Sequence, residues 1–392
     1  MVSTGAVRVS DEFDDIRPYR DDEMQAVIAR LLSNRAFLDA LLGFRFPVAS
    51  RIAPAVLRPL AAMYLARRTA SMRTIDAFQA SLEGLFDHII ESTTRGFSWS
   101  GTDALEPGRP CLFMSNHRDI AMDSAFTNYA LHASRLGTVR IAIGDNLIRE
   151  AYVADLMRLN KSFIIKRSAK GVREQLAALQ KTSRYLHHSI TVDRQSVWIA
   201  QREGRAKDGD DRTDPAILKM CYLSHRKSGR SFGEVLAELH LVPVAVSYEL
   251  DPCDAMKAHE LALRARDGHY EKPPDEDLRS IVTGITGHKG RVHLHFGAEI
   301  TAPSEDPDVL AAAIDRSVHD GFHLFPTHLE AQRRLGREVP TALLEAAGAP
   351  DAATMAMFDE RIEAAPEGQR EWLLRQYAQP VQAAIQAVKP SM

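Results

Sequence analysis

A histidine with aspartates close behind it is equipped to move protons. In FMSNHRDIAMDSAF, residues 113–126, an apolar run ends at Asn116 and His117, with Asp119 two positions on and Asp123 six. An imidazole, with an ordinary pKa of about 6.5, takes a proton from an alcohol near neutral pH, while a carboxylate fixes its tautomer and stabilises the imidazolium that forms. Either aspartate could supply that carboxylate.

A second cluster, NKSFIIKRSAKGVR at 160–173, places Lys166 and Arg167 directly after an apolar stretch, with Lys161, Lys170 and Arg173 close by. Cations at a strand end bind phosphate groups, arginine through a two-pronged fork. In SVWIAQREGRAKDGDDR, 196–212, an apolar run ends in Glu203-Gly204-Arg205. Glycine permits the sharp turn that presents a carboxylate and a guanidinium side by side. The fourth block, LVPVAVSYE at 241–249, carries Pro243 near its start, a residue buried strands tolerate only at an edge or at their entry.

Each block needs a strand to carry it. From Pro110 onward, short apolar runs alternate with helical stretches, the pattern of βα units around a mainly parallel sheet. Strands are expected at 111–115, 138–144, 162–166, 196–201, 241–248 and 291–297. His117 then stands at the carboxyl end of a strand, where open α/β sheets place their ligands. Three- and four-residue apolar spacing predicts helices over 22–97, and the alanine-rich text after 302 predicts more. The expected organisation is an N-terminal helical region, 1–97, an α/β domain, 98–302, and a C-terminal helical region, 303–392.

The four blocks, in this order, resemble the family of glycerol-3-phosphate and lysophosphatidate acyltransferases over roughly residues 95 to 300. Its pattern is a histidine with an aspartate five residues on, an apolar stretch ending in arginine, a Glu-Gly-x-Arg-like block, and a strand with a proline. His117, Arg167, Glu203 with Gly204 and Arg205, and Pro243 match. Two departures stand out. Position 122 is Met, so Asp123 takes the carboxylate's role if a bulge in the first helical turn absorbs one residue, and Asp119 is the other candidate. Glu203-Gly204-Arg205 also lacks the intervening residue. The resemblance implies that His117, oriented by Asp123, deprotonates an acceptor hydroxyl, which attacks the thioester of acyl-CoA or an acyl carrier protein. Arg118, Lys166, Arg167, Glu203, Gly204, Arg205 and Pro243 form the expected substrate-binding set, and backbone amides near the start of the His117 helix would hold the oxyanion. No metal or cofactor is called for. The rival readings are an acyltransferase for another lyso-lipid acceptor and a non-catalytic lipid-binding protein on the same fold.

The 392 residues are 45% hydrophobic and 26% charged, which sets disordered and collagen-like chains aside. A net charge of -3 gives no whole-molecule field favouring nucleic acid. Three widely spaced cysteines form no CxxC pair, the acidic amino-terminal stretch MVSTGAVRVSDEFDDIRPYRDDEM lacks a secretory signal's apolar core, and a cytoplasmic location is expected. Charged residues and the prolines at 47, 54 and 59 interrupt the most apolar stretch, 36–66, so no spanning helix is expected. Between Arg30 and Arg73, however, eight arginines face one carboxylate, Asp39, and such a segment suits the inner, anionic face of a membrane. His293 with His295, His319 with His323 and His328, and the Asp208, Asp210, Asp211, Asp214 cluster are read as ordinary histidines and a solvated loop. No Gly-rich phosphate loop or GxSxG elbow occurs.

Overall fold

A computed structural model describes residues 11–388 apart from 47 and 149; the first ten residues of the amino-terminal stretch and Pro47 lie outside the described residues. Seven strands alternate with helices: β1 (Gly96–Ser100), β2 (Leu112–Ser115), β3 (Arg140–Gly144), β4 (Ser162–Ile165), β5 (Val197–Ala200), β6 (Leu241–Tyr248) and β7 (Arg291–Phe296). The chain forms two compact units, one of residues 11–83 with 140–185, the other of 84–139 with 186–388. The second carries the His117 block.

In that second unit the strand order is β1-β7-β6-β2-β5. β2 lies parallel to both β5 and β6, with Met114 opposite Ile199 and Pro243, and only β6 and β7 run antiparallel. Every residue of β2 and β6 is buried, which is why both read as unbroken apolar runs. Pro243 sits in a central strand, not at an edge. It stands one residue ahead of Val244, the first β6 residue with a register partner on β7, and so precedes the stretch that pairs with that strand. β1, GFSWS, was not expected as a strand because a glycine and two serines dilute its apolar pattern. It forms because Phe97 packs on Phe126, ring centroids 4.6 Å apart, and because its whole length pairs with β7.

The C-terminal helices Pro307–Gly321, Pro326–Arg334, Thr341–Ala347, Ala352–Ala364 and Glu367–Val388 belong to this same unit. Phe358, Leu373, Tyr377 and Ala378 share one core with Leu250, at the exit of β6, and with Ala258 of helix Asp254–Asp267.

The first unit joins the parallel pair β3–β4 to helices Asp21–Ser33, Arg35–Arg45, Ala49–Ile52, Pro54–Thr69, Ile75–Ser81 and Ala151–Leu159. Met24, Val27, Ile28 and Leu31, at helical spacing, pack with Ile75, Phe78 and Leu159. Asn34 caps helix Arg35–Arg45 by accepting the Phe37 N–H at 3.0 Å. No helix among the described residues is long and apolar enough to cross a membrane.

Candidate functional site

Strand β2 delivers Asn116 and His117 to its carboxyl end. The buried Asn116 amide continues the sheet where the strand stops. Its Oδ1 accepts the Val246 N–H at 2.7 Å, and its Nδ2 donates to the Val246 carbonyl and to Asp211. His117 follows with its Nδ1–H donating to Asp123 Oδ2 at 2.8 Å and its ring against Trp198, centroids 5.9 Å apart. The ring keeps partial exposure while Asp123 is fully buried, so Nε2 is the nitrogen left to meet a substrate.

Asp123 opens helix Met122–Ala133, where the helix dipole favours a carboxylate. Its Oδ2 also accepts the backbone N–H groups of Arg118 (2.7 Å) and Asp119 (2.9 Å), and its Oδ1 accepts the Tyr248 hydroxyl at 2.8 Å. Among the described residues no hydrogen bond joins Asp119 to His117. Its Oδ1 accepts the N–H groups of Ala121 and Met122, so the extra residue relative to the family spacing is taken up in a turn ahead of the helix and not as a bulge inside it. Its Oδ2 lies buried without a partner, and burial, then the Asp123 charge, raises its pKa. The amides of residues 118, 119, 121 and 122 are therefore bound to side chains. These four are engaged and are not the amides that would meet an oxyanion.

Arg118, expected among the substrate-binding residues, turns inward. It is buried, its guanidinium donates to Asp211 at 2.5 Å and to the Gly209 carbonyl at 3.1 Å, and its plane lies near Phe322. Asp211 is accordingly no part of a solvated loop: it is the buried counter-charge of Arg118. Asp210 pairs with Arg212, and Asp214 caps helix Pro215–Tyr222. Behind this pair Lys257 donates to the Arg118 carbonyl at 2.7 Å and pairs with Asp251.

The Glu203 block reaches the site through the next residue, since the Ala206 N–H donates to the His117 carbonyl at 2.8 Å. Gly204 turns the chain at φ 75, Glu203 is exposed, and Arg205 folds inward. Arg205 is 9% exposed, with one guanidinium nitrogen on Ser280 Oγ at 3.2 Å, the other without a partner, and no carboxylate paired with it among the described residues. Lys166 and Arg167 lie in the first unit. Lys166 pairs with Asp15, and the Arg167 backbone N–H donates to Asp145 at 3.0 Å. The discounted histidines mostly meet hydroxyls and carbonyls: His293 bonds Ser98 and Ser100, His295 bonds Ser100, and His319 donates to the Asp211 carbonyl. The three cysteines are buried and free. Sequence reasoning missed Tyr248, Ser280 and Gly284, a helical glycine on which a Cβ would stand 2.0 Å from Asp119 Oδ2. Only Tyr248 carried a usable signal, as the last residue of a strand beside β2.

A histidine–carboxylate pair at the end of a central strand, in a mainly parallel sheet flanked by helices, defines an α/β protein whose chemistry sits where open sheets place it. Residues 97–247 match the model of the family described as Acyltransferase. The chain is similar in structure to the 1-acyl-sn-glycerophosphate (LPA) acyltransferase of Thermotoga maritima, at 13% identity and a TM-score of 0.36 over 73% of this chain and 97% of that one. No curated protein matches it.

Proposed function

We propose that the protein transfers a fatty acyl group from acyl-CoA or an acyl carrier protein to a hydroxyl of glycerol 3-phosphate or lysophosphatidate, with His117 as general base. The observation that carries this reading is the His117–Asp123 hydrogen bond, in which Nδ1 is engaged and Nε2 remains. With Nδ1–H held, Nε2 accepts the hydroxyl proton as the alkoxide attacks the thioester carbonyl. The tetrahedral intermediate then collapses, expelling the thiolate, which is reprotonated from the imidazolium. A buried guanidinium without a counter-charge is costly, and a phosphate on the acceptor would supply one to Arg205.

The test incubates purified protein with labelled acyl-CoA and acyl carrier protein donors and each acceptor, for wild type and His117→Ala. A loss of about 10²- to 10⁴-fold in the variant is expected. Equal turnover in the two proteins would sink the role of His117, and no turnover on any acceptor would favour a lipid-binding protein on the same fold.

A peripheral membrane location is part of the proposal. In the first unit, helix Pro54–Thr69 exposes Val56, Leu60 and Met63 at helical spacing, and beside it Val48 and Ile52 are 69% and 78% exposed. Of the eight arginines here, Arg30 pairs with Asp155 and Arg58 with Asp39, while Arg45, Arg51, Arg67 and Arg68 have no carboxylate partner among the described residues. Apolar side chains beside unpaired cations suit an anionic bilayer, where each basic residue contributes roughly 1 kcal/mol. Flotation with anionic liposomes that weakens in high salt is expected; binding indifferent to lipid charge and salt would overturn it.

A further inference from the structure

We infer that Tyr248 is a positioning residue for the reaction: its hydroxyl fixes the Asp123 carboxylate and, through it, the His117 ring. The inference rests on the acyl-transfer reading but adds a residue of the fourth block, Tyr248, that the matched position Pro243 leaves without a role.

The geometry begins at Asp123. A carboxylate free to rotate about its Cβ–Cγ bond would hold a histidine loosely. Here Oδ2 takes three donors, His117 and two backbone amides, and Oδ1 takes one, the Tyr248 hydroxyl at 2.8 Å. The amides fix one oxygen only. Tyr248 is the donor that fixes the other, and with it the carboxylate plane that aims Oδ2 at His117.

Tyr248 is itself held firmly. It is the last residue of β6, in register with Val292 of β7, its ring packs 6.1 Å from Phe126, and it is 4% exposed. The buried His328 hydrogen-bonds its backbone, while His328 Nδ1 accepts the Phe325 N–H at 2.9 Å. Helix Pro326–Arg334, beyond the stretch that matches the family model, therefore backs the pair. Burial and the neighbouring carboxylates Asp123, Asp119 and Asp251 push the phenol well above its usual range, which keeps it a donor. The titratable and charged groups that face the pair are Arg118, Asp119, Asp251, His328 and Tyr377.

Removing the hydroxyl makes the carboxylate more basic, which strengthens its hold on imidazolium, while freeing its orientation. Two readouts follow that a merely structural tyrosine would not move. In Tyr248→Phe the acidic limb of kcat/KM moves to higher pH, and kcat at the plateau falls about 10- to 100-fold with KM values within about two-fold. The Nδ1-bound proton of His117, followed by NMR without any substrate, shifts and exchanges faster with water. Incorporation of 3-fluorotyrosine at 248, which keeps the hydroxyl and makes it a stronger donor, moves the acidic limb the opposite way and covers the case in which the phenylalanine variant folds poorly. An unchanged NMR signal in the folded Phe variant, or unchanged limbs in the fluorinated protein, overturns the inference. If the NMR signal moves but neither protein transfers an acyl group, the acyl-transfer reading fails and the positioning contact stands.

Discussion

Two aspartates lie within six residues of His117, and their surroundings give them different work. Asp123 receives four donors and touches the histidine; Asp119 terminates two backbone amides ahead of helix Met122–Ala133. The expected outcome is a split between rate and stability. Asp123→Asn replaces an acceptor with a group that must offer N–H to at least one donor, so it loses far more rate than Asp119→Asn. The Asp119 variant keeps the carbonyl oxygen that accepts both amides, so it is expected to retain most of its turnover with little change in denaturant unfolding, whereas Asp119→Ala gives up the cap-like contact at a cost of about 1 kcal/mol. A larger rate loss in the Asp119 variant would transfer the orienting role to it. His117 and Asp123 were legible as a pair because six residues of local sequence hold them. The Arg118–Asp211 pair was not, because a side chain's preference for a buried counter-charge 93 residues away leaves no local trace.

Among elements, helix Glu276–Thr286 is the one whose closeness to the site depends on a single atom. Gly284 leaves room for Asp119 Oδ2 where a Cβ would lie 2.0 Å away. Alanine normally stabilises a helix interior by about 1 kcal/mol over glycine, whereas overpacking a buried contact costs about 1 to 3. Packing should win: Gly284→Ala is expected to lower stability by about 1 to 3 kcal/mol in chemical denaturation. Gly43→Ala, in open space on helix Arg35–Arg45, is expected to raise it slightly. A stabilised Gly284→Ala would show that the helix can withdraw from Asp119. Six of the seven strands were readable, because buried strands are short apolar runs bounded by turn residues. GFSWS escaped because its partner, β7, lies nearly two hundred residues further along the chain.

At the scale of the molecule, stability should fall as pH drops below neutrality, because buried histidines resist protonation. Burial lowers the pKa of His328 to about 3, and burial with the nearby His225 lowers that of His187 to about 4. Below about 6.5 the unfolded chain binds protons that these folded sites refuse, so the contribution is complete above that pH and is lost as pH falls toward the folded values. Each site costs about 2 kcal/mol by pH 5. A melting temperature that holds from pH 6.5 to 5 would contradict this, and His328→Gln should flatten the decline. The C-terminal helices, read from sequence as a separate region, hold this unit together at long range. The Tyr377 hydroxyl accepts the Asp251 N–H and donates to Asp254, and Arg361 donates to the Asp251 carbonyl. That clamp sets an order of events on the ribosome. A nascent chain that has emerged as far as residue 300 already contains the histidine, its aspartate, every motif block and β7 beside β6, yet neither the His328 behind Tyr248 nor the Tyr377 that holds Asp251. Synthesis of the last of these helices, and not of the last motif block, is the moment at which the surroundings of Tyr248 and Asp251 are first complete.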